Sequence, residues 1–276
     1  MAMNSVNTNV GAMIALQNLQ VTNNELTQVQ SRINTGKKVA SAKDNGAVWA
    51  IAQGQRAEIG ALNAVKDSLQ RGQSAVDVSL AAGESVSDLL IQLKEKALSA
   101  TDTSLTSSAR SALNEDFKSI RDQIATVVSN AAFNGVNLID GSSTGGFAAL
   151  ANVSGSTITV ASEDMSLSGS VVTLGASAVI DTASAATASL ALVSASIDNV
   201  GASLAKLGTG SNSLGTHLTF VGKLQDTLEA GVGNLVDADL AKESARLQAL
   251  QTKQQLGVQA LSIANSSTSI LLGLFR

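Results

Sequence analysis

The chain has 276 residues, a formal net charge of −4, no Pro, Cys or Tyr, one Trp, one His and five Phe. Slight acidity without any Lys/Arg run excludes a phosphate-backbone binder, and zero Cys excludes disulfides and thiolate metal sites. Compact cores lean on aromatic burial, so a chain poor in aromatics and free of the main helix breaker points to long helices joined by thin seams of Leu, Val, Ile and Ala.

From the N-terminus, Ala12, Leu19, Leu26, Ile33 and Ala40 recur every seven residues, with Ala15, Thr22 and Val29 as a second row three positions on. This heptad spacing predicts a helix from about Ser5 to Ile33. Thr35-Gly36 ends it, because Gly suits the left-handed position past a helix C-terminus. A second helix starts near Asp44–Gly46: Leu62, Leu69, Val76, Leu90 and Ala97 share a row with Gly83, beside Val65, Val86 and Leu93. Over 46–99 it would span roughly 80 Å. Ser99–Ser108 is a polar turn, and Leu113, Phe117, Ile120, Ile124, Val127 and Ala131 mark a third helix.

Residues 134–181 are rich in Gly, Ser and Thr. FNGVNLIDGS (133–142) reads as a turn-rich exit from the helix. Ile158 with Val160, and Val172 with Leu174, alternate with Thr as short strands of a small hairpin region. Helix resumes near Thr182, with a 3-4 apolar spacing from Leu190 to Val232 in which Ser211 and Gln225 are the polar members; Gly231 and Gly233 mark a break. The last helix starts at Asp237–Asp239, acids suited to a helix N-terminus. Leu240, Leu247, Leu261 and Phe275 make one row, Leu250, Ala264 and Leu271 a second, Leu256, Ile263 and Ile270 a third. A two-helix seam needs about two rows, so this helix needs neighbours on more than one side.

The predicted class is mainly α: a long antiparallel coiled-coil rod with N- and C-terminal helices paired and a small β-hairpin region in the middle. A lone rod leaves the extra rows uncovered. Copies of the same chain would cover them, and a head-to-tail contact that does not close makes a helical filament.

No enzyme site is read. Trp49 reads as a core anchor. His217 lacks a Cys/His/acid cluster, Lys43-Asp44 reads as a local salt bridge or helix-start pair, and GSSTGG (141–146) lacks the Lys-Ser/Thr of a phosphate loop. No catalytic, cofactor-binding or metal-ligating residue follows, and no cofactor. The first thirteen residues hold no basic segment followed by an apolar one, so Sec export is not expected; no membrane span is expected either.

Three motifs carry a family resemblance. INTGKKVASAKDNGA (33–47), above all Thr35-Gly36 and Ser41-Ala42-Lys43-Asp44, resembles the junction between inner helix and rod in bacterial flagellin. FNGVNLIDGS, with Phe133, Asn134 and Gly135, resembles that family's exit from the third rod helix. VDADLAKESARLQALQTKQQLGVQALSIANSSTSIL (236–271) is similar to its C-terminal helix through Asp237, Asp239, Glu243, Gln251, Ala264 and Asn265. The likeness covers roughly 1–142 and 182–276 and is closest to the short alphaproteobacterial type.

The resemblance implies a structural subunit of a motor-driven helical filament. It implies an inner core domain of 1–36 and 234–276, a rod domain of 37–142 and 182–233, and a reduced tip at 143–181. Subunit contacts fall to Ala12, Leu19, Leu26, Ile33, Leu240, Leu247, Leu250, Leu256, Leu261, Ile263, Ile270, Leu271 and Phe275. Partners implied are other copies, the filament cap, hook-associated proteins, an export chaperone and the type III export gate, with no nucleic acid; the location implied is extracellular. The Ser/Thr of 142–173 read either as ordinary loop residues or as acceptors for O-glycosylation. LLIQLKEKALSA (89–100) resembles the stretch recognised by the animal innate-immune receptor. Gln92 stands where Arg is usual and Lys96 where Leu is usual, while Lys94 and Glu95 keep the family's charges, so weak recognition is expected. The rivals are a hook–filament junction protein and a secreted adhesin or enzyme carried on a rod.

Overall fold

The computed structural model describes residues 8–273, with side chains to residue 266. Five helices dominate the described residues: α1 (Val10–Thr35), α2 (Gly46–Ala100), α3 (Ser107–Asn130), α4 (Ala183–Val236) and α5 (Leu240–Gly273). Four short strands lie between α3 and α4: β1 (Ala132–Phe133), β2 (Val136–Asn137), β3 (Phe147–Leu150) and β4 (Thr157–Val160). Backbone contacts divide the chain into two compact units, one holding the described residues up to Ala57 and from Thr227 on, the other residues 58–226.

In the second unit, α2 and α4 run antiparallel. Gln225 donates through Nε2 to Asn63 Oδ1 at 2.9 Å, and Ser211 Oγ donates to Asp77 at 3.4 Å. Leu62, Leu69, Val76, Val86, Leu90 and Leu93 of α2 are buried with Phe117 and Ile124 of α3 and Leu207, Leu214 and Val221 of α4. Gly83 keeps its place in the heptad row because a Cβ there would lie 2.6 Å from Leu204 Cδ2. Thr106 caps α3 by accepting from the Ala109 N–H at 3.2 Å, and the chain turns back on itself where Arg110 donates to the carbonyls of Ala100 and Asp102.

The segment between α3 and α4 departs from expectation. FNGVN is a hairpin, not only an exit: Phe133 pairs with Val136 across Asn134 (φ 50°) and Gly135 (φ 80°), both positive as a type I′ turn requires. Ile158 and Val160 do lie on a strand, but β4 pairs antiparallel with β3, Ala149 facing Ile158 and Phe147 facing Val160. Val172 and Leu174 are buried without strand pairing, because the Thr173 N–H goes to Ser196 Oγ at 3.1 Å and the Val171 N–H to the Asp164 carbonyl at 2.9 Å.

The support for this segment is a second row on α4. Ser189, Ser196, Ser203, Gly210 and His217 recur every seven residues beside the apolar row. Ser189 donates to the Val179 carbonyl at 3.0 Å, Ser203 to Glu163 at 2.9 Å and His217 Nε2 to the Ala151 carbonyl at 2.6 Å. A Cβ on Gly210 would meet Val160 at 2.7 Å. The buried polar members of α4 are therefore Ser189, Ser196 and Ser203, whereas the expected Ser211 and Gln225 are half-buried. An 18-residue stretch of α4 has a mean hydropathy of 1.3, long and apolar enough to cross a bilayer. Its apolar row is instead buried within the unit and its serine row is hydrogen-bonded.

Candidate assembly interface

The other unit is built around α1 packed antiparallel on α5. Asn9 caps α1, its side chain accepting from the Ala12 N–H at 2.9 Å, so this helix begins at Val10; the expected start near Ser5 lies outside the described residues. Gly36 ends it in the left-handed conformation (φ 69°), as expected. At the other end, α4 runs through Gly231 and Gly233 to Val236. Interior glycine costs a helix only about 1 kcal/mol, and bare Gly233 leaves room for the Asp237 carboxylate, 3.0 Å from where a Cβ would stand. The break falls at Asp237–Asp239, where Asp239 caps α5 by accepting from the N–H groups of Ala241 and Lys242 at 3.0 and 3.1 Å.

Three polar contacts run along the α1–α5 seam. Asn9 Nδ2 donates to the Ala264 carbonyl at 2.8 Å, Gln254 to Asn23 at 2.7 Å, and Arg32 pairs with Glu243 at 3.1 Å. Between them Leu19 sits over Gly257, whose hydrogen stands where a Cβ would lie 3.3 Å from Leu19 Cδ1. Thr22 and Val29 are buried at this seam, Ala12, Leu19, Leu26 and Ile33 half-buried; from α5, Leu250 is buried, Leu247, Leu261 and Ala264 half-buried.

The third row behaves differently. Leu256 is 60% exposed and Ile263 70%, and Leu240, at the head of the first row, is exposed as well, at 49%. Of the expected contact residues, the side chains of Ile270 and Leu271, and all of Phe275, lie outside the described residues. The heptad reading missed a matching set on α1: Val10, Met13, Ile14, Leu16 and Val21 are all exposed, as is Val258 of α5. Their signal was present as apolar residues lying off the seam rows. Ile14 and Leu256 wall an open groove of about 570 Å³ floored by Gly11, Ala15, Gly257 and Ala264.

The junction residues hold the connection in place. The Lys38 and Val39 N–H groups both donate to the Val236 carbonyl, and the Ala238 N–H to the Gly36 carbonyl at 2.9 Å. Thr35 Oγ1 donates to the Ser31 carbonyl, closing the last turn of α1. Asp44 takes the N–H groups of Ala40 and Ser41 and the Ser41 hydroxyl on one oxygen at 2.9–3.1 Å, while Ala42 and Lys43 complete the turn. Of the two expected roles for Lys43-Asp44, no salt bridge joins them among the described residues, while Asp44 holds the turn that leads into α2 and Asn45, next in line, caps it. Trp49 is half-buried, and Ala52 rather than Trp49 is the fully buried residue at the start of α2.

The Ser41 amide, with the Ser41 hydroxyl and the Ala40 amide, holds the Asp44 carboxyl below its usual range. The bonds of a depressed carboxylate are in place above its unfolded value and are lost as pH falls through the folded one. Hydrogen exchange at the Ala40 and Ser41 amides should therefore be slow at neutral pH and accelerate, beyond the intrinsic trend, below the ordinary aspartate range.

In the second unit, Gln92, Lys94 and Glu95 are exposed on α2 with Ile91 and Leu98, while Leu90, Leu93 and Ala97 of the same stretch are buried. Lys96 is half-buried and paired with Asp116 of α3 at 2.9 Å. No cluster of His, Cys, Asp or Glu suited to a metal occurs among the described residues.

Paired helices with apolar outward faces mark an interaction surface, and comparison with known proteins gives the class. Residues 6–144 match the bacterial flagellin N-terminal helical region and residues 190–275 the bacterial flagellin C-terminal helical region. Flagellin FljM of Caulobacter vibrioides is 60% identical over 276 residues, all of both chains. A flagellin of Brucella melitensis is 38% identical over 283 aligned positions, spanning 99% of this chain and 100% of that one. The solved structure of a Vibrio parahaemolyticus protein assigned to the flagellar hook-associated class superposes with a TM-score of 0.58 at 16% identity, covering 70% of this chain and 100% of that one, a likeness of fold alone. The chain belongs to the bacterial flagellin family. It is a structural subunit of the flagellar filament, the extracellular propeller of motility.

Proposed function

We propose that the outward faces of α1 and α5 are the surfaces through which copies of this flagellin stack. Six further large apolar residues accompany Leu240, Leu256 and Ile263 on those faces, and that concentration of exposed hydrophobics carries the reading. Leu19, Leu26, Ile33, Leu247, Leu250 and Leu261 shape the pair from within; Leu240, Leu256, Ile263 and their neighbours on α1 meet other copies. Residues 1–36 and 234–276 then make the inner core of the filament, 37–142 and 182–233 the rod, and 143–181 the tip.

The chain leaves the cell through the flagellar type III gate, escorted by a chaperone that covers α5, and is placed beneath the filament cap beyond the hook-associated proteins. The altered Gln92 and Lys96 leave innate-receptor recognition weak. The role is structural, without catalysis.

Ordering two exposed ends is favourable only when neighbours bury them. Limited proteolysis of the free chain should therefore remove both ends first and stop at the second unit, while filaments resist cleavage. Full-length survival of the free chain under the same digestion would overturn the proposal.

A further inference from the structure

The rows of α1 and α5 repeat every seven residues, so a slip of one heptad, about 10.5 Å along the axis, keeps the same helix faces in contact, and periodicity alone does not fix the register. Something else must select the register. Arg32 and Glu243 sit opposite one another at 3.1 Å. Glu243 is 8% exposed, and its second oxygen is buried without a hydrogen-bond partner, an arrangement that costs stability. Glu25 lies one heptad before Arg32 on the same row, half-buried, and forms no ion pair among the described residues.

We propose that Glu25, Arg32 and Glu243 form a charge code that admits one heptad register of the terminal helix pair. A slip in one direction brings Glu25 to the place of Arg32, setting two carboxylates against each other where little water reaches, and puts Leu19 over Leu250. A slip in the other direction carries Arg32 onto Leu250, a residue 5% exposed, and leaves Glu243 beyond Gly36, where α1 has ended. Either slip also separates Asn23 from Gln254 and Asn9 from the Ala264 carbonyl. A polar group at a seam position that sets register at some cost in stability is a known device of coiled coils. The register decides which exposed residues of α1 stand beside Leu256 and Ile263, so it sets the surface offered to the next copy.

The chain contains no cysteine, so introduced pairs report cleanly. A Cβ on Gly257 lies 4.0 Å from Leu19 Cβ, within disulfide range. Leu19→Cys with Gly257→Cys thus reports the native register, and Leu19→Cys with Leu250→Cys reports the slip that brings Glu25 to Glu243. Both pairs are oxidised in filaments, a variant that does not assemble alone being co-polymerised with the parent chain.

On the parent background only the 19–257 crosslink should form. The swap Arg32→Glu with Glu243→Arg keeps an ion pair in the native register, yet it turns the clash with Glu25 into an attraction, so the 19–250 crosslink should appear. Adding Glu25→Lys to the swap should remove it again. A swap that crosslinks only 19–257, or a 19–250 crosslink that Glu25→Lys fails to suppress, would overturn the code. A variant in native register that does not assemble speaks against the outward faces as contacts, not against the register.

Discussion

The double substitution Leu256→Glu/Ile263→Glu should abolish filament assembly at concentrations where the parent chain polymerises. Both side chains are more than half exposed in the single chain, at 60% and 70%, so the soluble protein loses no burial and the melting of the second unit stays unchanged. In a filament the same positions would be covered. Burying what is still exposed of a Leu and an Ile contributes about 2–4 kcal/mol together, before the cost of taking two carboxylates out of water. That converts to roughly one and a half to three orders of magnitude in the concentration needed for growth. Sedimentation and electron microscopy after seeding read the result directly. Filaments forming at the parent's concentration would mean that α5 meets its neighbours through another face.

Gly146→Ala should be the most damaging single-methyl change in the second unit. Gly146 has φ 69°, which disfavours any Cβ, and a Cβ there would land on the Val160 carbonyl oxygen and within 2.9 Å of Ala161 Cα. Backbone cannot yield as a side-chain tip can. The left-handed strain and the overpacking together cost about 2–5 kcal/mol, a fall in melting temperature of roughly 5–15 °C for a domain of this size. Gly145→Ala next to it, where a Cβ meets nothing within 4 Å, is the control and should melt like the parent. Equal melting of the two variants would show that the β3–β4 hairpin is not held as described.

The long helices, the stop at Gly36 and the start at Asp239 were legible because caps and heptads are local signals: a few residues decide each one. The hairpin at Asn134-Gly135 was half-legible, since the turn residues stood out while the two-residue strands carried too little pattern to count. β3 was not legible. Its FAAL sequence has little strand character; it is held by the Leu150 N–H donating to Ser68 and by pairing with β4. The serine row of α4 was not legible, because its partners lie up to 66 residues away. Within α5 the apolar rows were visible, but sorting Leu250 into the seam and Ile263 out of it needs the position of α1, which periodicity alone does not supply.

The link between Gly36–Val39 and Val236–Ala238 is sewn almost wholly with main-chain atoms: Lys37 bridges Asp237, two amides share the Val236 oxygen, and Gly36 accepts from Ala238. Among the side chains there, Lys38 reaches across to the Asn234 carbonyl at 3.2 Å. Segments nearly two hundred residues apart in the chain are thus held together as one strap. Evolution is free to repaint its outer side, since the stitching survives almost any change of side chain that spares the backbone geometry.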